Sequence, residues 1–147
     1  MSAGINIRKG SFEDIRAAHA RVPEIDPPRS VSDYLGRVAD RDHIALIAED
    51  QGGPVGFKLG YALNALEFYS WLGGVDPAYG KHGVAQALMD QQETLAAAAG
   101  FTMIRVRSMN RFPGMLRLLL ANGYIIDGYQ ANSGPDDAKI SFCKTLT

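Results

Sequence analysis

The sequence predicts a single α/β (α+β) domain, and three observations carry that prediction. Seven short runs alternate apolar and polar residues or are apolar throughout, as strands are. Four others read as helices, two from serine caps and two from apolar residues at helical intervals, and the two kinds interleave along 147 residues. That length, with 46% hydrophobic residues, supports one substantial core and is short for two.

The elements follow in order. Ile5 to Arg8 alternate as a half-buried strand does, and Ser11 with Asp14 three positions on forms a capping-box variant that starts a helix to about His19. The stretch VPEIDPPRS holds three prolines and makes a stiff connection, after which Ser30 opens a second short helix through VSDYLGRV. HIALIAED and VGFKLGYAL are joined by QGGP, whose paired glycines accept the positive φ of a tight turn, so they read as a hairpin. EFYSWLGGV is the next strand. From Ala85 to Ala99 the chain is rich in Ala, Leu, Met and Gln, with Val84, Leu88 and Leu95 near one stripe and Gly100 as its stop: a helix. MIRVRSM alternates, with Ile104 and Val106 on one face and Arg105 and Arg107 on the other. Phe112, Met115, Leu116, Leu119 and Leu120 form one helical face that ends at Gly123. YIIDGY and KISFCKTL close the chain as a hairpin around the polar loop ANSGPDD.

Composition narrows the partners. With 15 basic and 16 acidic side chains and a net charge of -1, no basic field points to nucleic acid or to an anionic membrane; small molecules or proteins are the expected partners. A lone cysteine, Cys143, forms no internal disulfide, and His19 and His43 show no metal-ligand spacing with it, so no metal is expected. MSAGINIRKGS lacks the apolar core of a signal peptide and no apolar run is long enough to span a bilayer, so the expectation is a soluble, cytoplasmic protein.

The stretch VDPAYGKHGVAQALM, Val75 to Met89, turns from a glycine-containing loop into helix formers with no side-chain cap between. An uncapped helix start leaves backbone N-H groups pointing outward, and with the helix dipole they suit a phosphate. Gly80 and Gly83 permit close approach, while Lys81 and His82 add donors or charge at the rim. The plainer alternative is a turn whose N-H groups are met by water. Just ahead, Gly73 and Gly74 interrupt a central strand, where they mark a bulge, a close approach by another group, or simply the strand's end. An opened strand edge beside an anion cradle suits a long ligand with a phosphate head and an amide-bearing arm.

The order of elements and this wording resemble the GNAT superfamily of N-acetyltransferases, whose acetyl-CoA motif is Q/RxxGxG/A. GKHGVA supplies its Gly83 and Ala85, VDPAY stands where the family often has a valine, a proline and an aromatic, and Asn110 and Gly123-Tyr124 bracket the next helix as in the family. The resemblance implies a GNAT-like fold, with a single mixed, mostly antiparallel central sheet of about seven strands flanked by about four helices, and acetyl-CoA as co-substrate. It implies pantetheine pairing along the backbone of Gly74 and Val75, pyrophosphate on the N-H groups of Lys81, His82, Gly83, Val84, Ala85 and Gln86, and a cofactor contact at Asn110. Two positions depart from the pattern. Gly80 replaces the motif's first side-chain donor, and Leu119 stands where the family often has a tyrosine acid.

Acetyl transfer to an amine requires a neutral amine, a polarised carbonyl and a proton for the thiolate. N-H groups at the Gly73-Gly74 bulge would polarise the carbonyl. Glu67, on one strand face with Tyr69 and Trp71, is the candidate base, its alternative being a solvated strand-start glutamate. Tyr129, ahead of Tyr124, is the candidate acid, with solvent as the alternative. By the resemblance the Pro-rich connection and the last hairpin loop wall the acceptor site. Glu24 and Asp26, with Tyr69, are its candidate residues, and with Asp136 and Asp137 they hint at a cationic acceptor such as a polyamine, an aminoglycoside-like compound or a protein amine. The expectation is an acetyl-CoA-dependent N-acetyltransferase acting directly on a primary amine of a small molecule or protein, with a homodimer as one option for its assembly. The alternative is a catalytically weak or inactive acyl-CoA-binding sensor or interaction module of the same fold. A nucleotide-binding α/β protein would use the same cradle, but the antiparallel strands ahead of it fit a parallel sheet poorly.

Overall fold

In the computed structural model, which describes residues 4–25, 27–80 and 83–146, the elements alternate as the patterning expects. They are β1 (Asn6–Lys9), α1 (Phe12–His19), α2 (Val31–Val38), β2 (His43–Asp50), β3 (Gly53–Ala62), β4 (Glu67–Val75), α3 (Val84–Ala98), β5 (Met103–Met109), α4 (Pro113–Ala121), β6 (Ile125–Gln130) and β7 (Lys139–Thr145). The strands form one sheet in the order β1-β2-β3-β4-β5-β7-β6. Only β4 and β5 run parallel, because α3 carries the chain back across the sheet between them; every other neighbouring pair is antiparallel.

Both N-terminal helices start at serine caps. Ser11 Oγ accepts from the Asp14 N-H at 3.1 Å while the Asp14 carboxylate accepts from the Ser11 N-H at 3.0 Å, and Ser30 and Asp33 repeat the exchange at the start of α2. One face of the sheet buries Ile15, Val22, Tyr34, Phe57 and Leu59 under α1 and α2. The other buries Phe68, Met89, Ile104, Leu119 and Phe142 under α3 and α4. Alternation along β3 separates the two faces: Phe57 packs beneath α1, whereas a side chain at Gly56 would meet Val84 and Leu88 of α3. Among the described residues no helix is long and apolar enough to cross a membrane.

One irregularity positions the site. Leu59 pairs with Leu72 but Gly60 pairs with Ser70, so Trp71 is an extra residue on β4. The bulge therefore falls at Trp71 and not at Gly73-Gly74, which stay in the ladder opposite Lys58 and Phe57. The strand also does not end early: it continues through Val75.

Candidate active site

After Ser70 and Val106 the parallel ladder stops. Beyond it β4 continues from Trp71 to Val75 bonded to β3 alone, and β5 continues to Met109 bonded to β7 alone. The sheet is split between its two central strands, and the β4 backbone groups that face the gap have no strand partner. The bulge at Trp71 adds the local twist that turns β4 away. The two glycines serve the faces of the strand: a Cβ on Gly74 would stand 2.9 Å from Val22 Cγ1 of the α1-α2 connection, and Gly73 lies against Lys58.

From the open end of β4 the chain passes through a 3-10 turn, Pro77–Tyr79, to α3. Asp76 fixes this turn by accepting from the Ala78 N-H at 3.0 Å and pairing with Arg21 at 2.9 Å; the Tyr79 hydroxyl donates to Asp50. Gly83 is the first cap of α3, with φ 74°, and no side chain caps the helix. Its carbonyl accepts from the Ala87 N-H at 3.0 Å, so Val84, Ala85 and Gln86 begin the helix with N-H groups that lack helical acceptors. Among the described residues beyond its chain neighbours, nothing lies within 4 Å of where a Gly83 Cβ would be. The Gln86 side chain is turned aside, exchanging amide hydrogen bonds with Asn122 at 2.7 and 3.0 Å. Open donors at a helix start, continuous with an unpaired strand edge, fit a ligand with a pyrophosphate and an amide-bearing arm. Lys81, His82 and Asp26 lie outside the described residues.

The acid-base candidates are not brought to the split. The Glu67 carboxylate accepts from Arg105 Nε and from Asn64 Nδ2, and the arginine bond chiefly holds it below the usual carboxylate range. It starts β4, about 13 Å along the strand from Trp71. There it forms an ion pair with Arg105 at the start of the strand. Tyr129 is 60% exposed on β6, the outermost strand, with β7 between it and β5. Tyr124 is buried with its hydroxyl donating to Glu93 at 2.9 Å, and burial first, then Glu93, pushes the phenol's pKa upward. Leu119 is fully buried. The Asn110 amide donates to the Pro135 carbonyl at 2.9 Å and so ties β5 to the last hairpin loop.

Beneath α3 the structure adds a polar set that the apolar run VGFKLGYAL signalled only by its one charged position. Lys58 is buried, and burial lowers its ammonium to about 8, with Glu93 pulling weakly the other way. Among the described residues Lys58 makes no hydrogen bond or ion pair. The charge of Glu93 is taken by Lys144 at 2.7 Å and by Tyr124. Gln92, on the buried side of α3, has neither amide atom paired among the described residues.

On the opposite face, at the foot of the split, lies a cavity of about 300 Å³ lined by Arg37, Tyr61, Tyr69, Arg105, Arg107 and Ser141, among others. Tyr69, a predicted acceptor residue, is part of it. Glu24 and the hairpin-loop acids are not: Glu24 is exposed elsewhere, and Asp137 braces its own loop through Ser133 and Gly134. Arg105 and Arg107 were readable as one face of MIRVRSM, but nothing in the sequence placed Arg37 of α2 above them.

A family model described as an acetyltransferase (GNAT) domain matches residues 12–106. No curated protein matches. Among solved structures, Ard1 from Thermoplasma volcanium superposes with TM-score 0.82 at 18% identity, covering 99% of each chain. The ribosomal-protein-S18-alanine N-acetyltransferase from Escherichia coli gives 0.82 at 14% identity, covering 97% of this chain and 94% of that one. The protein yncA from Salmonella typhimurium, solved with its cofactor acetyl-CoA, gives 0.75 at 15%, covering 98% and 95%.

Proposed function

This chain belongs to the GNAT acetyltransferase family, and from that premise we propose that it is an N-acetyltransferase carrying an acetyl group from acetyl-CoA directly to a primary amine of a small molecule or protein. The observation that supports it most is the continuity between the uncapped start of α3 and the unpaired edge of β4. In this reading the N-H groups from Gly83 to Gln86, with the helix dipole, hold the pyrophosphate. Lys81 and His82 join that set on the motif alone. The backbone of Gly74 and Val75 holds the pantetheine arm.

Acetyl-CoA supplies the acetyl group as a thioester, with a thiolate that leaves readily near neutral pH. The acceptor nitrogen loses one proton before attack and a second as the amide forms. The new C-N bond replaces C-S, and sulfur keeps the electron pair. N-H groups freed where β4 turns from β5 polarise the carbonyl. With Leu119 buried, Glu67 ion-paired and Tyr129 two strands away, water at the split accepts and supplies the protons.

Two measurements test this. Acetyl-CoA raises the melting temperature and ATP does not, and mixed with a broad amine panel the protein releases CoA thiol. Gly83→Trp, folded by circular dichroism, loses acetyl-CoA stabilisation because its side chain fills the cradle; unchanged affinity would overturn the cofactor site. The burial of Leu119 favours a second reading, an acyl-CoA-binding module without turnover. Stabilisation by acetyl-CoA without thiol release from any amine would select it.

A further inference from the structure

We propose that the acceptor is a small amine that carries its own anion, a carboxylate or phosphate, bound by Arg107 and Arg37 in the cavity at the foot of the β4-β5 split. The inference rests on the acetyl-transfer reading and narrows its acceptor.

The position comes first. Arg107 is one residue past Val106, where β5 parts from β4, and faces the side of the sheet that α1 and α2 cover. Arg37 reaches the same cavity from α2. Its Nε donates to the Tyr61 hydroxyl at 2.9 Å and its guanidinium lies 4.8 Å from the Trp71 ring centre, so it is held in a fixed plane, and among the described residues its terminal N-H groups make no hydrogen bond. The third arginine, Arg105, is matched by Glu67 and Asp127. Arg107 has no hydrogen bond or ion pair among the described residues, and no acidic side chain lines the cavity. Two solvent-exposed guanidinium groups, without an acidic partner among the described residues, thus face a space of about 300 Å³, at the small end for ligand sites and suited to a molecule of amino-acid size.

The chemistry follows. A polyamine or aminoglycoside would bring positive charge against positive charge, contrary to what the acids of the Pro-rich connection and last loop suggest from sequence. A carboxylate or phosphate matches the guanidinium fork, and binding it orients the amine toward the split. The same arginines disfavour the ammonium form of the amine and so promote the neutral nucleophile. That supplies electrostatically part of what a general base would do, in a site where Glu67 is otherwise engaged.

The test uses the whole protein with CoA or acetyl-CoA and matched probes: free amino acids against their amides, phosphoethanolamine against ethanolamine, and spermidine. Binding is read from the fluorescence of Trp71, the single tryptophan, which needs no turnover. Transfer is read from thiol release. Anionic amines bind at least ~10-fold tighter than their uncharged counterparts, and the carboxylate and phosphate arms show which anion is preferred. Arg107→Gln removes that preference while acetyl-CoA affinity is unchanged; Arg107→Lys recovers part of it. Equal or tighter binding of amides, spermidine or a peptide amine, or an unaltered preference in Arg107→Gln, overturns the inference even if acetyl transfer occurs. Selective binding of anionic amines without thiol release upholds the pocket and counts against the transfer reading.

Discussion

Lys58 lies flat against Gly73: its Cγ and Nζ are 3.4 and 3.5 Å from where a Cβ on Gly73 would stand. The two residues are paired across β3 and β4, and the missing side chain on one gives room to the long side chain of the other. An ammonium is thereby kept under α3, next to the strand that borders the split.

That burial sets a pH dependence. The Lys58 ammonium has a folded pKa of about 8 against 10.5 for the free side chain. Between those values the unfolded chain binds more protons, so stability rises with pH, and the cost of burying the charge is fully present below pH 8. The full gain is on the order of 3 kcal/mol. Calorimetry from pH 7 to 9.5 therefore finds a rising melting temperature in the wild type. Lys58→Met melts higher at pH 7 and lacks the rise; a rise that survives the substitution would show another group to be its source.

Gly74→Ala forces its new methyl group against Val22. Overpacking of this kind costs about 1–3 kcal/mol. In urea titrations Gly74→Ala unfolds earlier, and adding Val22→Ala recovers part of the loss relative to Val22→Ala alone. Strictly additive effects would mean that the two residues do not compete for space.

Gly80 has an ordinary right-handed backbone, φ -63°, and among the described residues a Cβ there would meet the Pro77 carbonyl at 3.4 Å. Gly80→Arg restores the side-chain donor of the family motif at little conformational cost. Calorimetric titration with acetyl-CoA is expected to show affinity about 3- to 10-fold higher, as one charge-assisted hydrogen bond supplies. Weaker binding would place this position away from the phosphates.

Glu67→Gln breaks a part-exposed ion pair with Arg105, which keeps Asp127. Stability changes little, as exposed ion pairs contribute little. With the best acceptor found, kcat/KM is expected to stay within about threefold and its pH profile not to move, as follows from a carboxylate engaged by Arg105 and water as the proton carrier. A hundredfold fall in kcat, with the acidic limb of the profile lost, would return that role to Glu67.

Where local chemistry decides, the sequence was readable. Ser11, Ser30 and Gly100 mark helix ends because caps are local, and Gly53, at φ 108°, makes the QGGP turn that the hairpin reading expected. The bare helix start at Gly83 was legible for the same reason. Register was not. Glycine pairs suggest bulges, but Trp71 is the extra residue, while Gly73 and Gly74 stay in the ladder and lie against Lys58 and Val22, contacts separated widely along the chain. The pairing of Glu67 with Arg105 likewise depends on which strand lies beside β4. The cavity needed Arg37 and Arg107, 70 positions apart, to come together on one face of the sheet.

The β4-β5 seam is only four residue pairs long. It is also where the antiparallel group β1 to β4 is hydrogen-bonded to the group β5, β7 and β6. Long ladders protect their amide protons collectively; a ladder this short protects few, and each opening exposes a large share of it. In deuterium exchange those amides between Phe68 and Ser70 that donate across the seam to β5 are expected to label ahead of those in the middle of β3, although both lie inside one sheet.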